Sequence, residues 1–473
     1  MNKVSPKPQR ALSLDALRGY AILTMVLSGT IVFGVLPGWM YHMQEPPPDH
    51  AYNAVLAGIT WVDLVFPFFL FSMGAAFPFS LRRKYEKGVS RIRLGGAAIV
   101  RGMQLTFFAI YIQHFYPWML SSPQDARSWW LALSCYALLF PMFMRLPVKM
   151  PEWAHAAVKV AAYGAATAML LTTTYADGRT FSLYTSNIII LLLADMAIFG
   201  SIIYLCTMYN WKARLVVMAS LVGILLSADV EGSWAQAVFN WSPVPWMYRF
   251  NYLAYLCIVI PGSIAGDLVL RWMKEQKISD GAPRTPKKEA FGILAVSVGI
   301  ILINLVCLYN RWSFVCLVLT GAALIVGRLC ISKTSDYGSL WNSLLGFGAA
   351  LLIVGLCFEP FQGGIKKDWA TFSYLFVTSG LACMALMAFN VICDYFKCHK
   401  STAFLWMCGQ NPMIAYVSTN LFIYPVFYLI GITKYFFIFH AYKWLGLVQG
   451  LFLTSLAMLN TMFFTRIKWF WRT

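Results

Sequence analysis

Long apolar runs recur along the whole of this 473-residue chain. Each of about fourteen runs is roughly 17–22 residues long, which is the length that crosses a bilayer as an α-helix. The composition agrees, since 12% of the residues are charged, whereas a soluble domain has about 25%. The runs begin near Tyr20, Thr60, Leu94, Trp129, Val158, Ile188, Leu215, Tyr252, Ala290, Ser313, Leu344, Phe372, Phe404 and Leu445. Because those near Val158 and Leu215 are the weakest, the sequence predicts an all-α, polytopic membrane helix bundle of about 12–14 transmembrane helices.

Lysine and arginine are unevenly divided between the loops. If all the runs cross and the N-terminus is cytoplasmic, 29 of the 37 Lys and Arg residues fall in cytoplasmic segments and 8 fall outside. Cytoplasmic loops of membrane proteins carry such an excess. The sequence therefore predicts that both termini are cytoplasmic and that the loop between the first two runs is on the outer side. The net charge of +18 arises from these clusters, so we expect no nucleic-acid partner.

No soluble domain separates the apolar runs, and residues 1–473 are interpreted as one multi-span transmembrane domain. The longest cytoplasmic loop, residues 271–290, contains Gly, Pro and several charges, which is typical of a flexible linker between two helix bundles. The eleven cysteines are scattered along apolar segments, without metal-ligand spacing. We interpret them as small core residues and expect no metal.

The stretch from Met40 to Gly74 contains the strongest candidates for chemistry. Its polar first half carries His42 and His50, and its apolar second half carries Asp63 near the start. An acid at the edge of an apolar run is costly, and so indicates a functional site. A histidine can act as general base or nucleophile, and a carboxylate can orient it. The alternative is two solvated loop histidines and an acid favoured by the helix dipole.

Three further places carry polar residues in unusual positions. Asp15 and Arg18 share a helix face and can pair, although an arginine there also serves as a topology anchor. Lys366 and Lys367 lie on the predicted outer side, where they either bind an anion or extend toward lipid head groups. Asn411 lies between a glycine and a proline, which break helical hydrogen bonding within a span or form a structural kink.

Four motifs together resemble the heparan-α-glucosaminide N-acetyltransferase family, in particular its bacterial relatives, within the transmembrane acyltransferase superfamily. They are SLDALRG at Ser13–Gly19, DLVFPFFLFSMG at Asp63–Gly74, KKDWATFSY at Lys366–Tyr374 and GQNP at Gly409–Pro412. Their order covers nearly the whole chain. DLVFPFF is the most specific, the first motif is shared with broader membrane acyltransferases, and KKDWATFSY departs from the family pattern at its asparagine position.

The resemblance implies transfer of an acetyl group from cytoplasmic acetyl-CoA to an amino sugar or glycan on the other side of the bacterial inner membrane. The loop histidine is then the catalytic base or nucleophile, and Asp63 supports it. The family spacing favours His42 over His50, and both stay candidates. A family asparagine falls at about Ser28–Gly29, so this polar contact is missing here.

The charge and location of the remaining polar residues suggest roles that fit this resemblance. Arg18, with Asp15 and the basic cluster at 82–101, is expected to hold the nucleotide end of acetyl-CoA. Lys366, Lys367 and Asn411 are expected to bind the acceptor. The expected partners are acetyl-CoA, a sugar or glycan and the bilayer, with a homodimer as an open alternative.

Several alternatives remain open on the sequence alone. Transfer could be to nitrogen or to oxygen, and either direct or through an acetyl-histidine. The other functional classes are a secondary transporter of a sugar or lipid-linked precursor, with a site near the midplane, and a non-catalytic membrane scaffold.

Overall fold

The computed structural model describes residues 11–144, 150–275, 284–332, 335–436 and 444–472. In these ranges the regular secondary structure is helical, and they contain no strand. Eleven of the described helices are long and apolar enough to cross a membrane. The protein is therefore a polytopic helical membrane protein, which confirms the predicted fold class. The central part of the predicted linker, residues 276–283, lies outside the described residues.

The principal helices are labelled in chain order. They are α1 (Leu12–Ser28), α2 (Trp61–Phe77), α3 (Arg91–His114), α4 (Ala126–Phe143), α5 (Glu152–Thr172), α6 (Ile188–Cys206), α7 (Trp211–Leu226), α8 (Leu256–Glu275), α9 (Lys287–Tyr309), α10 (Ser313–Cys330), α11 (Gly338–Cys357), α12 (Phe372–Phe389), α13 (Ala403–Gln410), α14 (Pro412–Leu429) and α15 (Leu445–Arg466). Helical turns extend α2 to Glu86 and α12 to Tyr395, and precede α8 from Phe250.

Every predicted apolar run coincides with a helix. The runs near Tyr20, Trp129 and Leu215 form α1, α4 and α7, which are not among the eleven. Helices α1 and α7 have only 17 and 16 residues, so they are shorter than most spans. The run near Val158 is weak by sequence, but it forms the 21-residue α5, which is one of the eleven helices that could cross a membrane.

The first and last described segments lie at the same end of the bundle. Arg18 of α1 donates a hydrogen bond to the carbonyl of Gly409. Two residues further on, the Asn411 amide donates to the carbonyl of Trp469, after α15. The two described segments near the ends of the chain therefore lie close together, as expected if both termini are on one side of the membrane. We call this end the predicted cytoplasmic end, and the opposite one the predicted outer end.

The helices α2, α8 and α12 form the centre of the bundle. In the most apolar window of α12, 89% of the residues are buried inside the protein, against 17% for α5. Helices α5, α10 and α15 therefore lie at the periphery and present much of their surface to lipid. Asp63 lies at the start of a central helix, where its surroundings are protein rather than lipid.

Two glycines allow α2 and α8 to touch through their backbones. A β-carbon added at Gly74 would lie 2.1 Å from the carbonyl oxygen of Val259. One added at Gly262 would lie 2.2 Å from the carbonyl oxygen of Phe71. Small residues at helix contacts permit this approach in membranes. The contact fixes the position of α2, and with it the position of Asp63.

We expect Gly262→Ala to destabilise the protein by about 1–3 kcal/mol, because the new methyl group pushes α8 away from α2. The measurement is the midpoint of thermal unfolding in detergent. The matched control is Gly95→Ala in α3, where a β-carbon would meet nothing within 4 Å. Equal midpoints for both variants would contradict the proposed close contact.

We expect a cysteine at Asn53 to react with an impermeant thiol reagent in intact cells, and one at Lys87 to react only after permeabilisation. Both positions are exposed, and the predicted orientation places them on opposite sides. Both cysteine variants are made in a protein from which the exposed cysteines Cys206, Cys330 and Cys357 have been removed. Labelling of only the Lys87 variant in intact cells would show that the predicted orientation is reversed.

Candidate active site

Asp63 is the third residue of α2 and caps the start of this helix together with Thr60. The side chain is 1% exposed, and its Oδ2 accepts hydrogen bonds from the Thr60 amide at 2.9 Å and the Thr60 hydroxyl at 3.2 Å. The Thr60 hydroxyl in turn accepts from the Val62 amide. This is the capping box that Thr-x-x-Asp predicts. The cap holds one carboxylate oxygen and leaves the other for a further donor.

His42 supplies that donor. Its Nδ1 lies 2.9 Å from Oδ1 of Asp63, and the amide of Met43 donates to Oδ2 at 3.2 Å. Because the carboxylate only accepts, Nδ1 is the donor in this contact, and in the neutral imidazole the lone pair is then on Nε2. The hydroxyl of Tyr374 also donates to the main-chain carbonyl of Asp63, at 2.7 Å. The structure thus brings His42 to Asp63, in the arrangement of a base and its orienting acid.

Lys367 lies against the same imidazole. Its ammonium nitrogen is 3.2 Å from Nδ1 and 3.4 Å from Nε2 of His42. The side-chain amide of Gln44 holds this segment by accepting from the Asp368 amide and donating to the Asp368 carbonyl. The Tyr52 hydroxyl donates to the same carbonyl. The pKa of Tyr52 is raised, mainly by desolvation and also by the negative charge of Asp368. The loop that contains His42 and the segment that contains Lys367 therefore dock on each other, and Lys367 places a cation at His42.

His50 has a different environment. Its Nε2 accepts from the Gly34 amide at 2.8 Å, and its Nδ1 donates to the Glu45 carbonyl at 2.9 Å. Its ring also packs edge-on against Phe33 and Tyr41. Both nitrogens are occupied by main-chain groups, so His50 holds the loop in shape and does not meet Asp63.

A cavity of about 410 Å³, here called the outer cavity, opens beside His42. Polar side chains line much of it. They are Ser28, Thr30, Tyr41, His42, Glu45, Gln113, Tyr116, Asn187, Tyr416, Thr419 and Asn420. Ser28 and Gly29 are both in the wall. These are the positions at which the resemblance described above would place an asparagine. The cavity can hold a polar molecule next to His42.

A cavity of about 330 Å³, the inner cavity, lies toward the predicted cytoplasmic end. Its wall includes three arginines, Arg18, Arg101 and Arg472. Met25, Ile189 and Tyr416 line both cavities. The two spaces therefore adjoin, and together they lead from the arginines to His42.

Arg18 is placed by two of the sequence motifs. It forms the predicted ion pair with Asp15, at 3.7 Å, and donates to the main-chain carbonyl of Ser72 at 3.2 Å. A β-carbon at Gly409 would lie 1.9 Å from the Asp15 carbonyl oxygen, so the motifs at Ser13–Gly19 and Gly409–Pro412 pack directly together. Asp15 therefore acts on the cavity through Arg18 rather than as part of its wall.

The expected acceptor residues are not all at the site. Asn411 breaks the helix between α13 and α14, as its sequence neighbours predict, but its amide donates to the Trp469 carbonyl and accepts from the Trp471 amide. It therefore anchors the segment after α15 at the predicted cytoplasmic end. The main-chain amide of Lys366 donates to the Thr371 hydroxyl, and only Lys367 of the pair reaches His42.

The basic cluster also divides. Arg101 lines the inner cavity, whereas Arg82 pairs with Glu86 at 3.0 Å and Asp267 at 3.7 Å, away from its wall. Sequence reasoning did not single out Arg472 or Tyr416. Arg472 belongs to a short basic end, and Tyr416 bonds to Asn187, 229 residues away, so no local signal identifies either.

Comparison with known proteins gives two similarities. A family described as "Domain of unknown function (DUF5009)" matches residues 10–269. A segment of 110 residues is 31% identical to heparan-alpha-glucosaminide N-acetyltransferase of Homo sapiens, and covers 23% of this chain and 15% of that protein. The similar segment spans only a small part of this curated relative. Its sequence identity supports a distant relationship to an acetyltransferase.

The family match is broader than the similarity to the acetyltransferase. It includes α1 and α2, the outer loop with His42, and most of α8, and so contains the Asp15–Arg18 and His42–Asp63 pairs. Because it spans more than half of the chain, the protein belongs to the DUF5009 family.

Proposed function

We propose that this protein is a membrane acyltransferase that moves an acetyl group from acetyl-CoA at the predicted cytoplasmic end to an amino sugar or glycan at the predicted outer end. The observation that carries this proposal is the His42–Asp63 pair, which adjoins a cavity leading to three arginines. The distant similarity to an N-acetyltransferase supports the same reaction class.

The inner cavity suits the nucleotide end of the donor. Phosphate groups are bound best by guanidinium groups, which offer several directed donors and a permanent charge. Arg18, Arg101 and Arg472 supply these groups. The phosphates would stay near the aqueous phase, since a charged group in the membrane interior is costly. The uncharged arm of the donor would pass Met25 and Ile189, which are apolar, toward His42.

His42 would perform the chemistry through Nε2. In direct transfer, Nε2 takes a proton from the acceptor amine or hydroxyl while that group attacks the thioester carbonyl carbon. A bond from carbon to nitrogen or oxygen forms, the carbon–sulfur bond breaks, and the leaving thiolate receives the proton from Nε2. Asp63 stabilises the imidazolium that forms in between, and Lys367 can stabilise the oxyanion.

Transfer through an acetyl-histidine uses the same residues. Nε2 then attacks the carbonyl carbon and the carbon–sulfur bond breaks. In a second step the acceptor displaces the imidazole, and the proton that the acceptor loses passes to the thiolate. The test incubates the protein with acetyl-CoA that carries a labelled acetyl group, without an acceptor. Accumulation of labelled protein would indicate this route, and protein that stays unlabelled would indicate direct transfer.

A secondary transporter is the second candidate, because cavities lie toward both ends and α13 is separated from α14 by a break. The Asn411 side chain at this break is bonded to the segment 469–471. The His42–Asp63 pair lies at the start of α2, at the predicted outer end, whereas transport sites lie near the midplane. Acetylation of glucosamine by the purified protein distinguishes the two functions.

We expect His42→Ala to lower turnover by about 10²–10⁴, because a general base contributes this much. Asp63→Asn retains a capping residue but removes the charge that stabilises imidazolium, so it should also lower turnover with little effect on acetyl-CoA binding. The losses should be non-additive in the double variant, because the two residues act as one unit. The measurement is acetyl-CoA-dependent acetylation of glucosamine.

The control is His50→Gln, since glutamine can both donate and accept, as His50 does. This variant should keep turnover close to that of the parent protein. Loss in His50→Gln with normal turnover in His42→Ala would move the role to His50. Normal turnover in both would remove histidine from the mechanism.

We expect Arg472→Gln to weaken binding of coenzyme A by about tenfold, because a charge-assisted contact to phosphate is lost. Salt should weaken the parent protein's binding more than the variant's. Calorimetry measures the affinity. Arg179→Gln is the matched control, because Arg179 pairs with Asp177 on an exposed loop at the predicted outer end. Equal affinities of the two variants would contradict the assigned role of the inner cavity.

A further inference from the structure

A separate space of about 340 Å³, here called the aromatic cavity, lies at the predicted outer end. Five aromatic side chains line it: Trp118, Trp129, Tyr424, Tyr428 and Phe436. The rings of Trp129 and Tyr428 are parallel within 9°, with centroids 4.0 Å apart, and Trp118 is 47% exposed. The cavity thus offers flat ring surfaces at the side of the protein where the acceptor is expected.

Amide side chains complete the wall of the aromatic cavity. Gln124, Asn420 and Gln449 line it, and none of the described lining residues is charged at neutral pH. Gln449 is 6% exposed. Its side chain bonds to Tyr424, and its Oε1 has no hydrogen-bond partner among the described residues. A buried acceptor without a partner costs free energy. A ligand with a hydroxyl or N–H group would satisfy this atom.

The aromatic cavity adjoins the outer cavity. Trp118 and Asn420 line both, and His42 lies in the wall of the outer cavity. A molecule that occupies both spaces would therefore extend from the proposed reaction centre, past Trp118, to Gln449. This arrangement favours an elongated acceptor over a single small one.

We propose that the aromatic cavity binds a second sugar ring of the acceptor, next to the ring that is acetylated. A sugar ring has apolar C–H faces that pack on aromatic rings, and hydroxyl groups at its edge that bond to amides. Ligand sites combine such apolar walls with a few fixed polar groups. The inference rests on the proposed function and extends it, because it makes the acceptor an oligosaccharide or longer glycan.

The test measures binding without the acetyl donor, by equilibrium dialysis of the full-length protein in detergent. The probes are a radiolabelled β-1,4-linked tetramer of glucosamine and glucosamine itself. We expect the tetramer to bind at least tenfold more tightly than the monomer. Trp118→Ala should weaken tetramer binding by about tenfold or more, as truncation of a central aromatic contact does.

Trp39→Ala is the matched control, because Trp39 is also 47% exposed and lines a different surface, facing α9. It should bind the tetramer as the parent protein does. Equal affinity of the parent protein for tetramer and monomer would overturn the inference. So would equal tetramer affinities of the two tryptophan variants.

Gln449→Leu gives a second and independent measurement. It should weaken tetramer binding several-fold, since it removes the hydrogen-bonding amide from the wall of the cavity. Unchanged tetramer binding would remove Gln449 from the site and overturn the inference. Acetylation of the glucosamine monomer is assayed separately, so failure of the proposed reaction is distinguished from failure of the second sugar site.

Discussion

The buried carboxylate of Asp63 is the constraint on which the outer end of the protein depends. A charge at this depth is tolerated only when donors surround it, and the structure supplies them from Thr60, Met43 and His42. Each donor belongs to a segment that must be placed correctly before the carboxylate is satisfied. The start of α2 and the histidine loop are therefore ordered by the same carboxylate that we propose takes part in the chemistry.

This constraint is effective because α2 is itself fixed. Its backbone touches that of α8 at Gly74 and Gly262, and the Tyr374 hydroxyl of α12 bonds to the Asp63 carbonyl. A site built on central helices keeps its geometry better than one carried by loops alone. The loop contributes His42, but the rigid helices determine where the imidazole lies.

The fold and part of the site could be predicted because their signals are local. Apolar length predicts the helices, Thr60 and Asp63 are three residues apart, and so are Asp15 and Arg18, so helical geometry alone pairs them. The contact of Lys367 with His42 joins positions 325 residues apart, and no periodicity encodes it. His50 and Asn411 were assigned by residue type, whereas their hydrogen-bond partners are main-chain groups that only the tertiary structure identifies.

The adjoining cavities have a consequence for the membrane as an electrical barrier. A continuous aqueous path between the two sides would let ions and protons leak and would dissipate the membrane potential. Where the cavities adjoin, their shared wall consists of Met25, Ile189 and Tyr416, and the Tyr416 hydroxyl already donates to Asn187. Apolar constrictions expel water and so close a pore to ions. If the proposed function holds, the same residues that would contact an uncharged acyl arm would also separate the two aqueous sides when no donor is bound.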